Sequence, residues 1–479
     1  MMKKTLVLLL VVLSVLTLAG CQDGEQEVTD TVKPVISGTH DVNLVLGDEA
    51  PNWLEGITAT DDVDGDINVD VDASDVNLEV AGMYDVIYTA TDEAGNTETV
   101  TIKVTINDPE VDAFYVSLTS LEGTELMNET IEFDADLETP IVELIDGVID
   151  LDYTVFDFGT MINGVDGHYP KEYGASNNYY YQIIVDGTPI MTGLDQVVYQ
   201  DDMTIEFVET STLSELDQQV DDFIYDFIDN HMDSYLIDQG PDYYVLTAAY
   251  QLYQKGYITT NITESYVYDP VEITNAYLSD LTVGQILRLA LFMKVEGWDL
   301  TPVKDYLLTL EVTNPYEITS YLQALMIVGE TNETIALELI QNDFLDPDFV
   351  GMSYSALYGY DSITGFDTYL TDSYAYLSAA LSEDGIVSWG NANAASTATI
   401  ILGLVAQGIN PEDEAYQTNA VGLVEALMAY ESDGAFKWML TDENADLMFS
   451  TPQAFNALVA YKLSRDVWGF PATHLFDLD

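Results

Sequence analysis

DGIVSWGNANAASTATIILGLVAQ, residues 384–407, returns in altered form as DGAFKWMLTDENADLMFSTPQAFNALVAYK over residues 433–462. Each copy opens on Asp-Gly and reaches a tryptophan after three further residues (Asp384, Gly385 and Trp389; Asp433, Gly434 and Trp438). Each then crosses an asparagine-bearing loop to a Ser-Thr pair (Ser396, Thr397; Ser450, Thr451) and enters a run rich in Ala and Leu. The two Asp-Gly pairs stand about 49 residues apart, a period that suits stacked helical repeats. Asp-Gly is a turn or helix-stop signal, because Gly takes positive φ without steric cost. Thr451-Pro452 is a helix start, Thr as the cap and Pro where no hydrogen bond is lost. Ala454, Ala457 and Ala460, with Leu458 and Val459, recur at helical spacing. One such helix pair cannot bury its own apolar face, so the pattern predicts pairs stacked or closed into a ring. Trp389 and Trp438 fall in the loops before the helices, where they either plug a helix pair or line a ligand cleft.

Working outward, the helical period begins after Thr210. Val220, Phe223, Ile224, Phe227 and Ile228 form one apolar stripe, with Asp221, Asp222, Asp226 and Asp229 mostly off it. Further helices are predicted over 243–255, 283–295, 317–328, 334–341, 374–381, 396–407, 420–430 and 451–463. Several end near glycine: Gly256, Gly297, Gly329 and Gly408. This makes five or six hairpins. The quoted repeats resemble the prenyltransferase/squalene-cyclase-like α/α-toroid repeats of bacterial surface proteins, with Ala435-Phe436 and Ile386-Val387 where that pattern often has Gly-Phe. The match covers roughly residues 213–479. It implies an all-α barrel of helical hairpins as the C-terminal domain, residues 211–479.

Residues 108–210 read as a small α+β unit. Residues 115–118 and 130–133 alternate as strands, 139–149 reads as a short helix, and Asp186-Gly187 suits a hairpin turn. Tyr179-Tyr180-Tyr181, Asp186-Gly187, Gly193-Leu194-Asp195 and Thr204-Ile205-Glu206-Phe207 resemble the β-domain of vitamin B12 carriers such as transcobalamin. Asp186 replaces the common Asn, and Asp201-Asp202-Met203 replaces Asp-Gly-Asp. Residues 32–107 read as a β-sandwich of short strands between turn residues. Pro34-Val35-Ile36, Asp64-Gly65-Asp66, Gly82-Met83-Tyr84 and Thr91-Asp92-Glu93-Ala94-Gly95-Asn96 resemble bacterial Ig-like surface domains. Asp62, Asp64 and Asp66 are candidate calcium ligands there; an acidic turn capped by its own side chains fits the same residues. An EF-hand does not fit, since Ala73 stands where its bidentate Glu belongs.

Residues 1–21 carry Lys3-Lys4, an apolar run over 6–18, and Leu18-Ala19-Gly20-Cys21. This resembles a bacterial lipoprotein signal, and the resemblance implies cleavage before Cys21 and lipid attachment to its thiol. The expected location is the outer face of the cell membrane, with residues 22–31 as an acidic tether. Cys21 is the single cysteine, so no internal disulfide or Cys-x-x-Cys metal site forms. The chain holds 84 acidic against 12 basic residues, a surface that repels nucleic acid. Its 32 Tyr and 16 Phe speak for folded domains.

Enzymes on related barrels use a zinc held by Asp, Cys and His, an Asp-x-Asp-Asp acid, or several cations. None of these sets is visible in residues 213–479, nor is a Gly-x-Ser-x-Gly elbow, phosphate loop or His-Glu-x-x-His. A paired-carboxylate hydrolase stays open, because acids are abundant. The pairing of a transcobalamin-like domain with an α/α barrel implies a ligand at their seam, with cobalamin or a related corrinoid as the leading candidate and a membrane transporter as a partner. Tyr179, Tyr180, Tyr181, Trp389, Asn391, Asn393, Trp438 and Gln453 are the candidate ligand residues, and each also suits core or helix-end packing. The rival reading is a surface adhesin whose head binds a glycan or a protein.

Overall fold

The structure, a computed structural model, describes residues 30–108, 112–133, 139–157, 159–239, 242–262 and 272–478. The predicted leader, Cys21 and most of the tether lie outside the described residues. The chain divides into two compact units, one ending at Val111 and one spanning Asp112–Asp479.

The first unit is all β. Strands β1 (Val35–Ser37), β3 (Thr58–Asp61) and β4 (Gly65–Ile67) form one antiparallel sheet in the order β1-β3-β4. Strands β2 (Val42–Val45), β5 (Val69–Asp72), β6 (Gly82–Thr91) and β7 (Thr97–Asn107) form a second, ordered β2-β7-β6-β5, with β2 parallel to β7. Period-two alternation in β6 and β7 turns Val86, Tyr88, Ile102, Val104 and Ile106 into the core. The buried Tyr88 hydroxyl donates to the Trp53 carbonyl at 2.9 Å.

The second unit begins with strands β8 (Asp112–Thr119) and β9 (Glu125–Phe133), helix α1 (Ile141–Asp146), and hairpin β10 (Leu151–Phe156) with β11 (Gly159–Val165). Strands β12 (Tyr179–Val185), β13 (Thr188–Pro189) and β14 (Thr204–Ser211) complete a sheet ordered β13-β12-β14-β8-β9, with β14 parallel to β8. Asp186 and Gly187 make the two-residue turn between β12 and β13, both at positive φ (48° and 73°), which a tight hairpin requires.

The remainder is helical. In order come α2 (Glu215–Asp226), α3 (Met232–Gln239), α4 (Tyr243–Gln254), α5 (Asn275–Ser279), α6 (Val283–Val295), α7 (Thr301–Leu307) and α8 (Pro315–Ile327). Then follow α9 (Glu333–Ile340), α10 (Pro347–Ala356), α11 (Phe366–Ser378), α12 (Ala394–Ala406), α13 (Leu423–Met428) and α14 (Ser450–Arg465). A π-helical turn, Phe227–His231, joins α2 to α3. Among the described residues, α4, α6, α8, α10, α12 and α14 each pack on the next, and α14 packs back on α4, which closes a ring. Their sequences explain the inner position. Helix α14 buries nearly every residue from Ser450 to Ser464, and α12 is apolar on almost all faces, whereas α9 buries Ala336 and Leu339 alone. A helix that is apolar all round belongs inside, and a striped one belongs on the flank. Gly351 and Gly403 let α10 and α12 approach closely. A Cβ on Gly351 would stand 2.6 Å from the Thr399 carbonyl oxygen, and one on Gly403 2.5 Å from the Gly351 carbonyl oxygen.

Sequence and structure differ at α10, which the helical pattern did not single out. Its start is an ordinary one: Asp346 accepts from the Phe349 N–H at 2.8 Å, and Pro347 occupies the first turn. The predicted helix over 374–381 is the second half of α11, which begins eight residues earlier at Phe366.

Candidate functional site

The two repeats build the mouth of the ring. Strands β15 (Leu381–Ser382), β16 (Gly385–Ser388) and β17 (Asn391–Ala392) precede α12, and β18 (Glu431–Ser432) with β19 (Ala435–Phe436) precede α14. In both, a threonine hydroxyl of the following helix anchors the hairpin. Thr397 Oγ1 accepts from the Ile386 N–H at 2.9 Å, and Thr451 Oγ1 from the Phe436 N–H at 3.0 Å. The Asp-Gly pairs do not superimpose in register. Asp433-Gly434 is the two-residue turn of its hairpin, at φ 57° and 74°, whereas Gly385 already pairs with Ser382 and the turn is Glu383-Asp384. Trp438 accepts the Ala394 N–H on its carbonyl at 3.0 Å, so the second repeat's loop satisfies the first turn of the first repeat's helix.

Trp389 and Gly390 form the tight turn between β16 and β17, both at positive φ (57° and 91°). A bulky residue in that conformation costs about 1–2 kcal/mol. Asp348 at the start of α10 tethers it: Oδ2 accepts from Trp389 Nε1 at 2.9 Å and from Ser388 Oγ at 3.0 Å. The Trp389 ring remains 76% exposed, so its position is held by a polar tether rather than by burial.

Trp389, Trp438 and Phe449 border a cleft of about 680 Å³ whose polar rim includes Asp348, Asn393, Asp446 and Gln453. Asp446 is spent on structure. Its Oδ1 accepts from the Met448 and Phe449 N–H groups, and its Oδ2 from the Ser450 N–H and hydroxyl. Asn393 is buried and caps α12 through the Ser396 N–H at 2.8 Å. Beneath the cleft lies a chamber of about 220 Å³ that shares Met352, Thr399 and Gln453 with it. Tyr244 of α4, Gln323 of α8, Met352 of α10, Thr399 of α12 and Asn456 of α14 all line the chamber, which places it inside the ring.

The order along the ring is set by helix α12. Ala395 and Ser396 face the cleft, Leu402 faces the chamber, and the Val405 carbonyl accepts the Thr473 N–H at 3.0 Å. At about 1.5 Å per residue this is roughly 15 Å from mouth to floor. The floor is the C-terminal tail. Gln251 Nε2 donates to the Leu475 and Asp477 carbonyls at 3.1 and 2.6 Å, and the Tyr358 hydroxyl donates to Asp477 at 3.0 Å. His474 sits in that floor with Nδ1 accepting from the Phe476 N–H, and burial pushes its pKa down to about 4.

The expected seam site takes a different form. Tyr179 is buried and its hydroxyl donates to Asp221 Oδ2 at 2.9 Å; Tyr181 is buried and donates to the His168 carbonyl. Tyr180 is exposed, and no member of the trio lines the cleft. Where the β-domain meets the helices, Lys462 Nζ lies 2.6 Å from Glu172, 3.0 Å from Asp221 and 2.9 Å from Asp466, all four side chains wholly buried. Arg465 adds contacts to Asp221 at 2.8 Å and Asp217 at 3.4 Å. Burial and the neighbouring carboxylates raise the Tyr179 hydroxyl far above its usual range, so it serves as a fixed donor. At this junction the buried charged groups pair with one another, as buried charges must. A cavity that includes Ala175 of the β-domain is about 300 Å³, at the lower end for a drug-sized ligand. Of the expected ligand residues, the structure brings together Trp389, Asn393, Trp438 and Gln453; Asn391 is exposed in β17 beside them.

Among the expected calcium ligands, Asp64 accepts the Glu93 N–H at 2.9 Å and Asp66 is exposed on β4. Asp62, the third expected ligand, does stand in a cluster of carboxylates among the described residues, with Asp30 and Asp61 rather than with Asp64 and Asp66. Asp61 Oδ1 is already taken by the Val63 and Asp64 N–H groups.

Residues 34–106 match the family model described as bacterial surface protein, Ig-like domain. No curated protein matches the chain. Among solved structures, a lipoprotein of Bacteroides thetaiotaomicron is 18% identical over 21% of this chain and 54% of its own, with a TM-score of 0.13. The M60 catalytic domain with CBM51-1 and CBM51-2 of Clostridium perfringens ZmpB is 17% identical over 37% of this chain and 20% of its own, TM-score 0.14. The CBM51-2 and INT domains of the same protein, in complex with GlcNAc, are 14% identical over 63% and 70%, TM-score 0.15. This chain thus spans about half the length of the first and a fifth of the second. At such TM-scores the likeness carries no functional weight.

Proposed function

We propose that the protein is a lipid-anchored surface adhesin whose helical ring, an α/α-toroid of six hairpins, binds a neutral glycan in the mouth formed by the two repeats. The Ig-like unit is its stalk, and the sheet of residues 112–211 is a structural buttress. The observation that carries the reading is the cleft itself. Three exposed aromatic side chains, Trp389, Trp438 and Phe449, surround an opening of about 680 Å³ with Asp348 and Gln453 between them. Flat sugar faces stack on such rings while hydroxyls donate to carboxylate and amide oxygens. Asp446, the second acid in the cleft lining, spends its two oxygens on the start of α14, which supports a binding role for the cleft. The buried ion cluster around Lys462 supports a ligand at the mouth rather than at the seam. The test is affinity electrophoresis and calorimetry of the full chain against a panel of neutral oligosaccharides and polysaccharides. Trp389→Ala and Trp438→Ala should each weaken binding on the order of tenfold, the loss of one stacking face. Binding that survives both substitutions, or no binding across the panel, overturns the reading.

A further inference from the structure

The cleft does not end at its aromatic rim. It continues past Met352, Thr399 and Gln453, which border both spaces, into the chamber of about 220 Å³. Helices α4, α8, α10, α12 and α14 all contribute to the chamber wall, in a ring that closes on itself. Below, the C-terminal tail crosses the ring. Thr473 and His474 line the chamber on one side and the cavity of about 300 Å³ on the other. The crossing is fastened by the Thr473 N–H on the Val405 carbonyl, and by Gln251 Nε2 on the Leu475 and Asp477 carbonyls. The chamber is therefore the blind end of the cleft.

The lining of this blind end suits a single sugar ring. Its volume lies below the range of about 300–1,000 Å³ that takes a drug-sized ligand, so there is room for one ring and not for a chain. Tyr244 and Phe476 stack with centroids 5.5 Å apart and an interplanar angle of 18°, a flat pair in the wall against which the C–H face of a pyranose packs. Gln323 of α8 and Gln453 of α14 bring amides to the same space. Gln453 Oε1 meets the Thr399 hydroxyl at 3.4 Å, but neither Gln453 Nε2 nor Gln323 Nε2 donates to any group among the described residues. Both glutamines are only part-buried. An amide offers donors and an acceptor together, which is what a hydroxyl needs.

We infer that the site recognises the end of a neutral glycan chain, with the terminal ring in the chamber and the following rings on Trp389, Trp438 and Phe449. An internal stretch runs on in both directions, so it can lie across the rim but cannot enter a blind chamber; a chain end can. The inference rests on the glycan reading of the mouth and adds which part of the chain is bound.

The test uses the full chain and the largely linear polysaccharides amylose, pullulan and glucomannan, with any further member of the neutral panel that binds. Each is titrated calorimetrically, intact and after partial acid hydrolysis, which multiplies chain ends while keeping the sugar and the linkage. End recognition predicts that protein bound per gram of glycan rises in proportion to the number of ends. Two variants probe the chamber directly. Gln323 lines the chamber and not the cleft, so Gln323→Leu should weaken binding on the order of 3- to 10-fold. Met352→Trp, which fills the passage, should weaken it on the order of tenfold or more, whereas Met352→Leu, close in volume, should bind as wild type. Melting curves establish that each variant is folded. Capacity that follows glycan mass and not chain ends overturns the inference, as does wild-type binding by both Gln323→Leu and Met352→Trp. If Trp389→Ala still weakens binding in either case, the mouth reading stands and end recognition alone is removed. No binding across the panel overturns both.

Discussion

Replacing Lys462 with Met should destabilise the unit of residues 112–479 more than any loss of one surface ion pair. The ammonium lies within 3.0 Å of Glu172, Asp221 and Asp466, and all four side chains are fully buried. It also faces the Tyr257 ring at 4.6 Å. Removing one partner of a buried pair costs about 3–5 kcal/mol, because the remaining charge is stranded. Here three carboxylates lose the same cation, and Arg465 is left to answer for them. The upper end, about 4–5 kcal/mol, is therefore expected. With an unfolding entropy of about 2.1 cal/mol/K per residue, the melting temperature of a unit this size should fall by about 6 °C. The pH dependence gives a second reading. Burial alone would raise the Asp221 pKa, but Lys462 and Arg465 outweigh it and hold it below the usual carboxylate range. Stability from that depression is present above the unfolded value of 3.8 and is lost as pH falls through the folded one. In Lys462→Met that loss should begin at higher pH. Adding Glu172→Gln should recover part of the stability, since Gln keeps the shape and removes one stranded charge. Calorimetric melts of the four full-length proteins complete the cycle. A single Lys462→Met variant that melts within 1 °C of wild type would refute the buried-cluster reasoning.

Two further outcomes follow from other parts of the chain. His474 has a folded pKa of about 4 against 6.5, so the unfolded state binds more protons between those values and stability falls as pH drops through that window, by up to about 3 kcal/mol; His474→Asn lacks that component, so the wild-type-minus-variant difference in urea midpoints should shrink as pH drops through the window, and a difference that does not change with pH would contradict the neutral buried imidazole. Cys21→Ser should release the protein from the membrane fraction or leave its precursor uncleaved, and normal processing with membrane retention of that variant would exclude a thioether lipid anchor.

The repeats were legible because their signals are local. Asp-Gly, the Ser-Thr pair and the alanine-rich run each state a backbone requirement, and the structure meets them through Thr397 and Thr451. The register was not legible. Equal spacing from Asp-Gly to Trp conceals a one-residue offset, since strand pairing and not sequence spacing decides which two residues form a turn. Asp348 escaped notice because nothing in its neighbourhood marks it; its role comes from Trp389, 41 residues away. Asp346-Pro347 would have revealed its helix, being the same cap-then-proline signal as Thr451-Pro452. Lys462 carries a readable anomaly, a lysine in a helix otherwise buried on nearly every face, but its partners come from three separate segments of the chain. Tyr179 and Tyr181 illustrate the opposite error. Aromatic runs look like ligand platforms, yet strand alternation buries the first and third and leaves Tyr180 outside.

The electrostatics of the mouth favour an uncharged ligand for a reason separate from the chain's acidity. Helices α10, α12 and α14 all begin at the cleft, an arrangement that would ordinarily attract an anion through free N–H groups and aligned dipoles. Those N–H groups are already taken. Asp346 accepts from Phe349, Asn393 from Ser396, and Asp446 from Met448, Phe449 and Ser450, so two of the three caps also place a negative charge where an anion would sit. An anionic ligand therefore meets carboxylates rather than donors. A cation meets Asp348, whose Oδ2 is already engaged by Trp389 and Ser388, and then an uncharged chamber whose neutral His474 and apolar wall cannot hydrate it. What remains compatible with the mouth is an uncharged ligand broad enough to meet the aromatic rim of Trp389, Trp438 and Phe449.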